Sequence, residues 1–122
     1  MTENDLSSAP ALSERGLDLL AQESPGRAAQ AFRLAIAADP ACFEAHHGLV
    51  RALRDSGQLQ ESIEAALALT VLTPADPLAH TALSISLQAA GHIPEAEAAA
   101  GRARILEWKV QLQSPPSQDL QP

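Results

Sequence analysis

Cys42, His46 and His80 are the residues of this sequence whose side chains are best spaced to bind a metal ion. Cys42 and His46 lie four residues apart, which is one helical turn, and His80 follows His46 by 34 residues. A structural zinc site needs four ligands, however, and the close ligand pairs typical of such sites do not recur along the chain. A neutral histidine also fills space between packed helices. We therefore expect neither a metal site nor a cofactor.

The sequence lacks the motifs that accompany catalysis. It contains no glycine-rich loop that would cradle a phosphate group and no motif that marks a nucleophile. Serine, histidine and aspartate residues are present, but no sequence context places them together. We expect a protein that is not an enzyme and has no catalytic residue.

Arg51 and Arg54 are the charged residues best placed to recognise another molecule. They lie three residues apart on one helix face, with His47 one turn earlier. Because the arginine side chain offers a planar fork of donors to a carboxylate, these residues are candidates to anchor an acidic side chain. The alternative is a solvated face on which Asp55 or Glu44 neutralises the arginines.

The positions of these residues depend on an internal repeat with a period of 34 residues. The matching pairs are Ala45 and Ala79, His46 and His80, Leu49 and Leu83, Leu53 and Leu87, Gly57 and Gly91, Glu61 and Glu95, Ala65 and Ala99, Ala66 and Ala100, and Leu72 and Leu106. Self-similarity at a fixed period indicates a repeat architecture, in which each unit is one supersecondary element stacked on the next.

The composition favours helices in every unit. Hydrophobic residues make up 46% of the 122 residues, and many of them are alanine and leucine, which are strong helix formers. Tyrosine is absent, and the only aromatic residues are Phe32, Phe43 and Trp108, so a sheet is disfavoured. The length suits one domain with its own core. The sequence therefore predicts an all-α fold.

Proline, glycine and small polar residues divide the chain into six helices. We place the helices at residues 10–22, 26–38, 41–55, 60–72, 78–90 and 94–113. Ser24 and Asp76 are expected to cap the second and fifth helices, and Gly91 to adopt left-handed geometry in the last turn. Three stacked 34-residue helix–turn–helix units, at about 9–42, 43–76 and 77–110, would form a short right-handed α-solenoid. The repeat domain would span residues 10–113, between disordered tails at 1–9 and 114–122.

The charge and the single cysteine limit the partners and the compartment. A net charge of -7 disfavours nucleic acid, because contacts to phosphates need a basic surface. Cys42 has no second cysteine to pair with, which fits a reducing compartment. Neither a targeting signal nor an uncharged apolar run long enough to span a membrane is present. We expect a cytoplasmic protein that does not bind membranes.

The repeated unit resembles the tetratricopeptide repeat, a 34-residue helix–turn–helix family with large, small and aromatic residues at set positions. Those positions hold Leu12, Gly16, Leu19, Ala28, Phe32, Ala35 and Pro40 in the first unit, and His46, Leu49, Leu53, Ser62, Ala66, Leu69 and Pro74 in the second. In the third unit they hold His80, Leu83, Ser84, Leu87, Ala96, Ala100 and Ala103. Arg15, Val50 and Trp108 depart from the pattern, and apart from Phe32 the aromatic residues expected at three of its positions are replaced by leucine, histidine or alanine.

The resemblance implies a concave groove, lined by the first helix of each unit, that binds an extended peptide or a helix of another protein. The expected groove residues are Ser13, Leu17, Leu20, Glu44, His47, Arg51, Arg54, Leu78, Thr81, Ile85 and Gln88. Such a groove would have apolar ends and a charged middle, and the protein would act as an adaptor.

The last helix carries a second apolar stripe that the repeat does not explain. Ala96, Ala100, Ala103, Leu106 and Val110 follow the inward stripe, but Ile105, Trp108 and Leu112 form another. Repeat arrays usually end in a polar capping helix. Two interpretations remain open: the stripe packs on the fifth helix, or it binds another chain. In the second case the protein would be a self-associating structural module that forms homo-oligomers.

Overall fold

A computed structural model describes residues 6–113, which form six α-helices and no strand. The helices are α1 (Ala9–Ala21), α2 (Pro25–Ala38), α3 (Phe43–Asp55), α4 (Leu59–Leu72), α5 (Pro77–Ala89) and α6 (Ile93–Gln113). The all-α prediction is confirmed, and each predicted helix is found within two residues of its expected bounds. None of the helices in this range combines the length and apolar character needed to cross a membrane.

The helices stack in chain order and curve toward one side. Each helix packs against the next, and α1 also contacts α3 while α3 also contacts α5. Among the described residues α2 does not contact α4, and α4 does not contact α6. The first helices of the three units therefore lie closer together than the second helices. This spacing is that of an α-solenoid whose concave face is lined by α1, α3 and α5.

Phe32 is the residue that ties the first unit to the second. Its side chain is fully buried at the centre of a core that is otherwise rich in alanine. The ring lies against the backbone of Gly16 in α1 and of Gly48 in α3, where a methyl group in place of either glycine hydrogen would overlap it. Only glycine leaves room for the ring at these two positions. One aromatic side chain of α2 therefore fixes how closely α1 and α3 pack against that helix.

Two buried serines tie the second unit to the third. The Ser62 hydroxyl of α4 donates to the carbonyl oxygen of Val50 at 2.9 Å. Its oxygen lies 2.7 Å from the Ser86 hydroxyl of α5. Because the single Ser62 proton is used on Val50, Ser86 is the donor in this second bond. The chain Ser86–Ser62–Val50 thus links α5, α4 and α3 through fully buried polar groups.

The helix starts show which capping predictions hold. The Asp76 carboxylate accepts a hydrogen bond from the backbone N–H of Leu78 at 3.0 Å, so the cap predicted for α5 is confirmed. The prediction that Ser24 caps α2 is wrong. The φ and ψ angles of Ser24 lie outside the extended region that capping residues adopt, and its side chain makes no capping hydrogen bond. Ser8 instead caps α1, since its hydroxyl oxygen accepts from the N–H of Ala11 at 3.3 Å.

The bounds of α1 and α3 refine the predicted elements. α1 begins at Ala9, one residue earlier than expected, and Ser8 belongs to its cap. α3 begins two residues later than expected, because the Asp39 carboxylate accepts from the N–H of Ala41 at 3.0 Å and holds a turn there. Of the two predicted tails, residues 1–5 and 114–122 lie outside the described residues.

The turns inside the three units share one backbone conformation. Glu23, Gly57 and Gly91 have φ angles of 59°, 82° and 86°, and they recur at the 34-residue period. The left-handed geometry predicted for Gly91 is confirmed. In the first unit a glutamate occupies the position that glycine occupies in the other two, and it adopts a conformation that side chains with a Cβ disfavour.

Candidate functional site

The concave face holds a pocket of about 480 Å³, which we call the large pocket. Residues of α1, α3 and α5, together with the turn before α5, form its walls. They are Leu17, Leu20, Phe43, Glu44, His47, Gly48, Arg51, Asp76 and Leu78. Beneath the Gly48 backbone lies the ring of Phe32, so the floor of this pocket rests directly on the core.

A second pocket of about 220 Å³, the small pocket, continues along the same face between α3 and α5. Its walls are His47, Val50, Arg51, Arg54, Leu78, Thr81, Ala82 and Ile85. His47, Arg51 and Leu78 line both pockets. The two pockets therefore form one continuous groove across all three units, which we call the concave groove.

Large apolar side chains in the groove are exposed to solvent. Leu17 of α1 is 49% exposed and Leu78 of α5 is 61% exposed, while Phe43 and Ile85 are exposed as well. Exposed apolar residues that are scattered singly carry little meaning, but here they converge on one concave surface. A surface of this kind gains free energy when an apolar group of a partner covers it.

The charges along α3 change sign from one end of the groove to the other. Glu44, His47, Arg51 and Arg54 lie on one face of α3, at intervals of three and four residues. Glu44 and Asp76 line the large pocket, Arg54 lines the small pocket, and Arg51 lines both. At about 1.5 Å per residue, Glu44 and Arg54 are separated by about 15 Å along the helix axis.

The two arginines differ in their surroundings. The Arg51 Nε atom lies 3.6 Å from a carboxylate oxygen of Asp55, and both side chains are largely exposed. Arg54 is half-buried, and within residues 6–113 its side chain forms no salt bridge or hydrogen bond. The alternative interpretation, in which a nearby carboxylate neutralises each arginine at the surface, therefore holds for Arg51 with Asp55 but not for Arg54.

His47 stands at the boundary between the two pockets and is half-buried. Burial lowers the pKa of its imidazole below the ordinary value of 6.5. The Asp76 carboxylate opposes this shift by raising the pKa, and the neighbouring His46 lowers it further. The net direction is downward, so the neutral imidazole is favoured in the folded protein.

The structure corrects two of the predicted groove residues. Ser13 is only 1% exposed, because its side chain turns into the helix packing, and its hydroxyl has no partner among the described residues. Gln88 is exposed, but it lines a recess between α5 and α6 rather than either pocket of the groove. Leu17, Leu20, Glu44, His47, Arg51 and Leu78 line the large pocket, and Arg54, Thr81 and Ile85 line the small one.

Phe43 and Asp76 line the large pocket although the sequence pattern did not place them there. Both stand at the start of a helix, Phe43 as the first residue of α3 and Asp76 as the cap of α5. The groove positions of the family pattern include neither the first residue of a first helix nor the turn that precedes that helix. The sequence did offer a signal for both residues: Phe43 is an aromatic residue at the start of α3, and Asp76 is a capping carboxylate at the start of α5.

The histidines that raised the question of a metal ion have a structural role. His46 donates from Nε2 to the carbonyl oxygen of Pro40 at 2.8 Å, and His80 donates in the same way to Pro74 at 2.9 Å. Each bond joins the first helix of a unit to the turn that precedes it. No group of three or more His, Cys, Asp or Glu residues in the described range could hold a metal ion.

The second apolar stripe of α6 lies on the surface. Ile105, Trp108 and Leu112 are 47%, 63% and 69% exposed, and α6 packs against α5 alone among the described helices. The interpretation in which this stripe packs on the fifth helix is therefore wrong. The inward stripe also ends earlier than predicted, because Leu106 is buried but Val110 is 49% exposed. Beyond Leu106 no residue of α6 is buried.

Solved structures share this architecture at low sequence identity. A crystal structure of MamA superposes with a TM-score of 0.81 over 91% of the chain at 22% identity, and a second MamA structure gives 0.80 over 95% at 21%. A chain in the CopN–Scc3 complex gives 0.73 over 88% at 20%. The chain spans 65%, 63% and 61% of the length of these three structures. At such identities the likeness concerns the fold alone.

Sequence comparison places the chain in a family. No curated protein sequence matches it. A family model described as the tetratricopeptide repeat matches residues 13–77, which is just over half of the chain. The match spans the 34-residue period, the Phe32 core and most of the concave groove. The chain belongs to the tetratricopeptide repeat family, whose members are in general non-enzymatic modules for protein–protein interaction.

Proposed function

We propose that this protein is an adaptor that binds a segment of another protein in its concave groove. The observation that carries the proposal is the continuity of the groove across α1, α3 and α5, with exposed apolar walls and charges of both signs. Burying one leucine-sized side chain of a partner against Leu17 and Leu78 is worth about 1.5–3 kcal/mol. Two or three such contacts, with a charge pair, give a specific complex of moderate affinity.

The comparisons support the general mode of action. The family is one of interaction modules, and one of the similar folds comes from a complex of two proteins, CopN and Scc3. The binding partners of CopN and Scc3 are not carried over to this chain. For this chain the groove geometry is the reason to expect a peptide or helix as the ligand.

Selection from a random peptide display library tests the proposal, because the selection works without an identified partner. Peptides selected on the wild-type protein are measured again on the double variant Leu17→Glu, Leu78→Glu. We expect this variant to lose at least tenfold in affinity, since two carboxylates would replace apolar walls. The matched control is Leu34→Glu, Leu67→Glu, which alters leucines of comparable exposure on α2 and α4, away from the groove.

Two results would count against the groove. In one, the library yields no peptide that binds. In the other, selected peptides bind the groove variant and the control variant equally well. Circular dichroism of both variants shows whether the helices are intact, and all four leucines are exposed enough for folding to tolerate the change.

A second candidate function is self-association through α6. Ile105, Trp108 and Leu112 form an exposed apolar stripe on a helix of 21 residues, where the other helices have 13 or 14. An exposed stripe that contains a tryptophan is typical of an interface. Sedimentation velocity over a range of concentrations tests this function. We expect a dimer or larger oligomer for the wild type and a monomer for Trp108→Ala, while a wild-type monomer at every concentration would exclude it.

A further inference from the structure

We infer that the concave groove selects a segment in which a large apolar residue and an acidic residue stand about three positions apart. The apolar side chain would fill the large pocket and the carboxylate would meet Arg54 in the small pocket. This inference rests on the proposed groove function and adds the chemistry of the ligand to it.

The apolar half follows from the walls of the large pocket. Its volume of about 480 Å³ exceeds that of any single side chain, and most of its exposed wall is apolar. Leu17, Phe43 and Leu78 enter it from three different elements. A leucine, phenylalanine or similar side chain can therefore be enclosed on several sides, which is the usual form of an anchor site.

The acidic half follows from the uneven distribution of charge. The two carboxylates in the walls of the groove, Glu44 and Asp76, both line the large pocket, and one oxygen of Asp76 already accepts the Leu78 N–H. Arg51 lines both pockets, but Arg54 lines the small pocket alone, and the small pocket has no carboxylate in its walls. A segment with its acidic residue at the small pocket is therefore favoured over one with the opposite orientation.

Arg54 is the residue that meets the carboxylate. It is half-buried beside the apolar side chains of Val50 and Ile85, and its guanidinium has no partner among the described residues. Apolar surroundings weaken the screening of a charge by water, so a carboxylate bound there interacts more strongly than one at an open surface. Arg51 contributes less, since Asp55 already lies 3.6 Å from its Nε atom.

The spacing follows from the geometry of α3. The α3 residues that line only the large pocket are Phe43, Glu44 and Gly48, whose mean position is 45. Those that line only the small pocket are Val50 and Arg54, whose mean position is 52. Seven residues of helix span about 10 Å, which is the length of about three residues of extended chain. Because His47 and Leu78 line both pockets, one segment can pass between them without leaving the surface.

Peptide display on the wild type, followed by binding measurements on two variants, tests the inference. We expect peptides selected on the wild type to carry Asp or Glu about three positions from a large apolar residue. Changing that residue to Asn or Gln should weaken binding to the wild type by about fivefold to tenfold. Against Arg54→Glu, peptides with Lys at that position should bind better than the acidic ones. The matched control is Arg33→Glu, which reverses an exposed charge on α2 and should leave the preference unchanged.

The outcomes separate this inference from the proposed function. If peptides lose affinity for Leu17→Glu, Leu78→Glu but show no acidic preference, the groove binds segments and the inference is wrong. The inference is also wrong if Arg54→Glu still prefers peptides that carry the acidic residue. If no selected peptide depends on Leu17 and Leu78, both the proposed function and the inference fall.

Discussion

The ring of Phe32 lies against the backbone of Gly48, directly beneath the large pocket of the concave groove. The same ring contacts Gly16, where a methyl group would lie 2.6 Å from the ring carbons. One buried aromatic residue therefore sets both the packing of the first two units and the height of the groove floor. Stability and the shape of the binding surface are coupled at this point of the fold.

Gly48→Ala is expected to lower the free energy of unfolding by about 1–3 kcal/mol, because the new methyl group overlaps the Phe32 ring. Urea denaturation followed by circular dichroism measures the change. Gly101→Ala is the matched control, since Gly101 lies in α6 with an ordinary contact to a flexible side chain. That variant should gain up to about 1 kcal/mol from helix propensity.

The double variant Gly48→Ala, Phe32→Leu separates overlap from other causes. A smaller side chain at position 32 leaves space for the methyl group, so Gly48→Ala should cost less in this background than in the wild type. Equal costs in both backgrounds would show that the glycine is not needed to accommodate the ring.

The buried serines should respond to alanine substitution in opposite directions. Ser62→Ala removes the donor to Val50 and the acceptor of the Ser86 bond, so we expect a loss of about 1–3 kcal/mol in the free energy of unfolding. Ser13→Ala removes a buried hydroxyl without a partner in the described structure, so we expect a gain of up to about 1 kcal/mol. A loss on Ser13→Ala similar to that on Ser62→Ala would show that the Ser13 hydroxyl is bonded in solution.

Glu23→Gly is expected to stabilise the protein. The left-handed conformation at φ 59° costs a residue with a Cβ about 1–2 kcal/mol, and glycine removes this cost while it adds flexibility to the unfolded chain. The net gain should be about 0.5 kcal/mol, measured as a rise in the urea midpoint. Gly57→Ala makes the reverse change in the second unit and should lower the midpoint. No difference between the two variants would contradict the assignment of strain to this turn.

His47 should make the protein less stable on acidification. Because its pKa is lowered in the folded state, the unfolded state binds a proton first as the pH falls through about 6.5. The free energy of unfolding therefore decreases below that pH, and the decrease is complete once the pH is below the folded-state pKa. His47→Gln removes this contribution, so its stability should fall less than that of the wild type on acidification from about pH 7.5 to about pH 5.5. The exposed His92, changed to Gln, is the control for loss of an imidazole.

The 34-residue period predicted the helices well because it records packing that recurs in each unit. Side chains at equivalent positions repeat the same contacts, as His46 and His80 do when they bond the carbonyl oxygens of Pro40 and Pro74. Because the packing recurs in each unit, the first helix of every unit lies on the concave side. Most groove positions could therefore be taken from the family pattern.

The residues that were misplaced or missed lie where the units differ. Ser13 is buried in the helix packing although its counterparts in the other two units, His47 and Thr81, line the groove. Phe43 and Asp76 reach the groove from the start of a helix, where the geometry is set by local bonds such as that of Asp76 with Leu78. A pattern of equivalent helix positions therefore predicts neither the burial of Ser13 nor the contribution of Phe43 and Asp76 to the groove.

The most direct test of groove binding is to map a selected peptide onto the protein by nuclear magnetic resonance. The methyl and amide signals of Leu17, Leu78 and Ile85 should shift on titration, while those of Leu34 and Leu67 should stay in place. Shifts confined to α2, α4 or the end of α6, with unchanged signals from Leu17 and Leu78, would contradict binding in the concave groove.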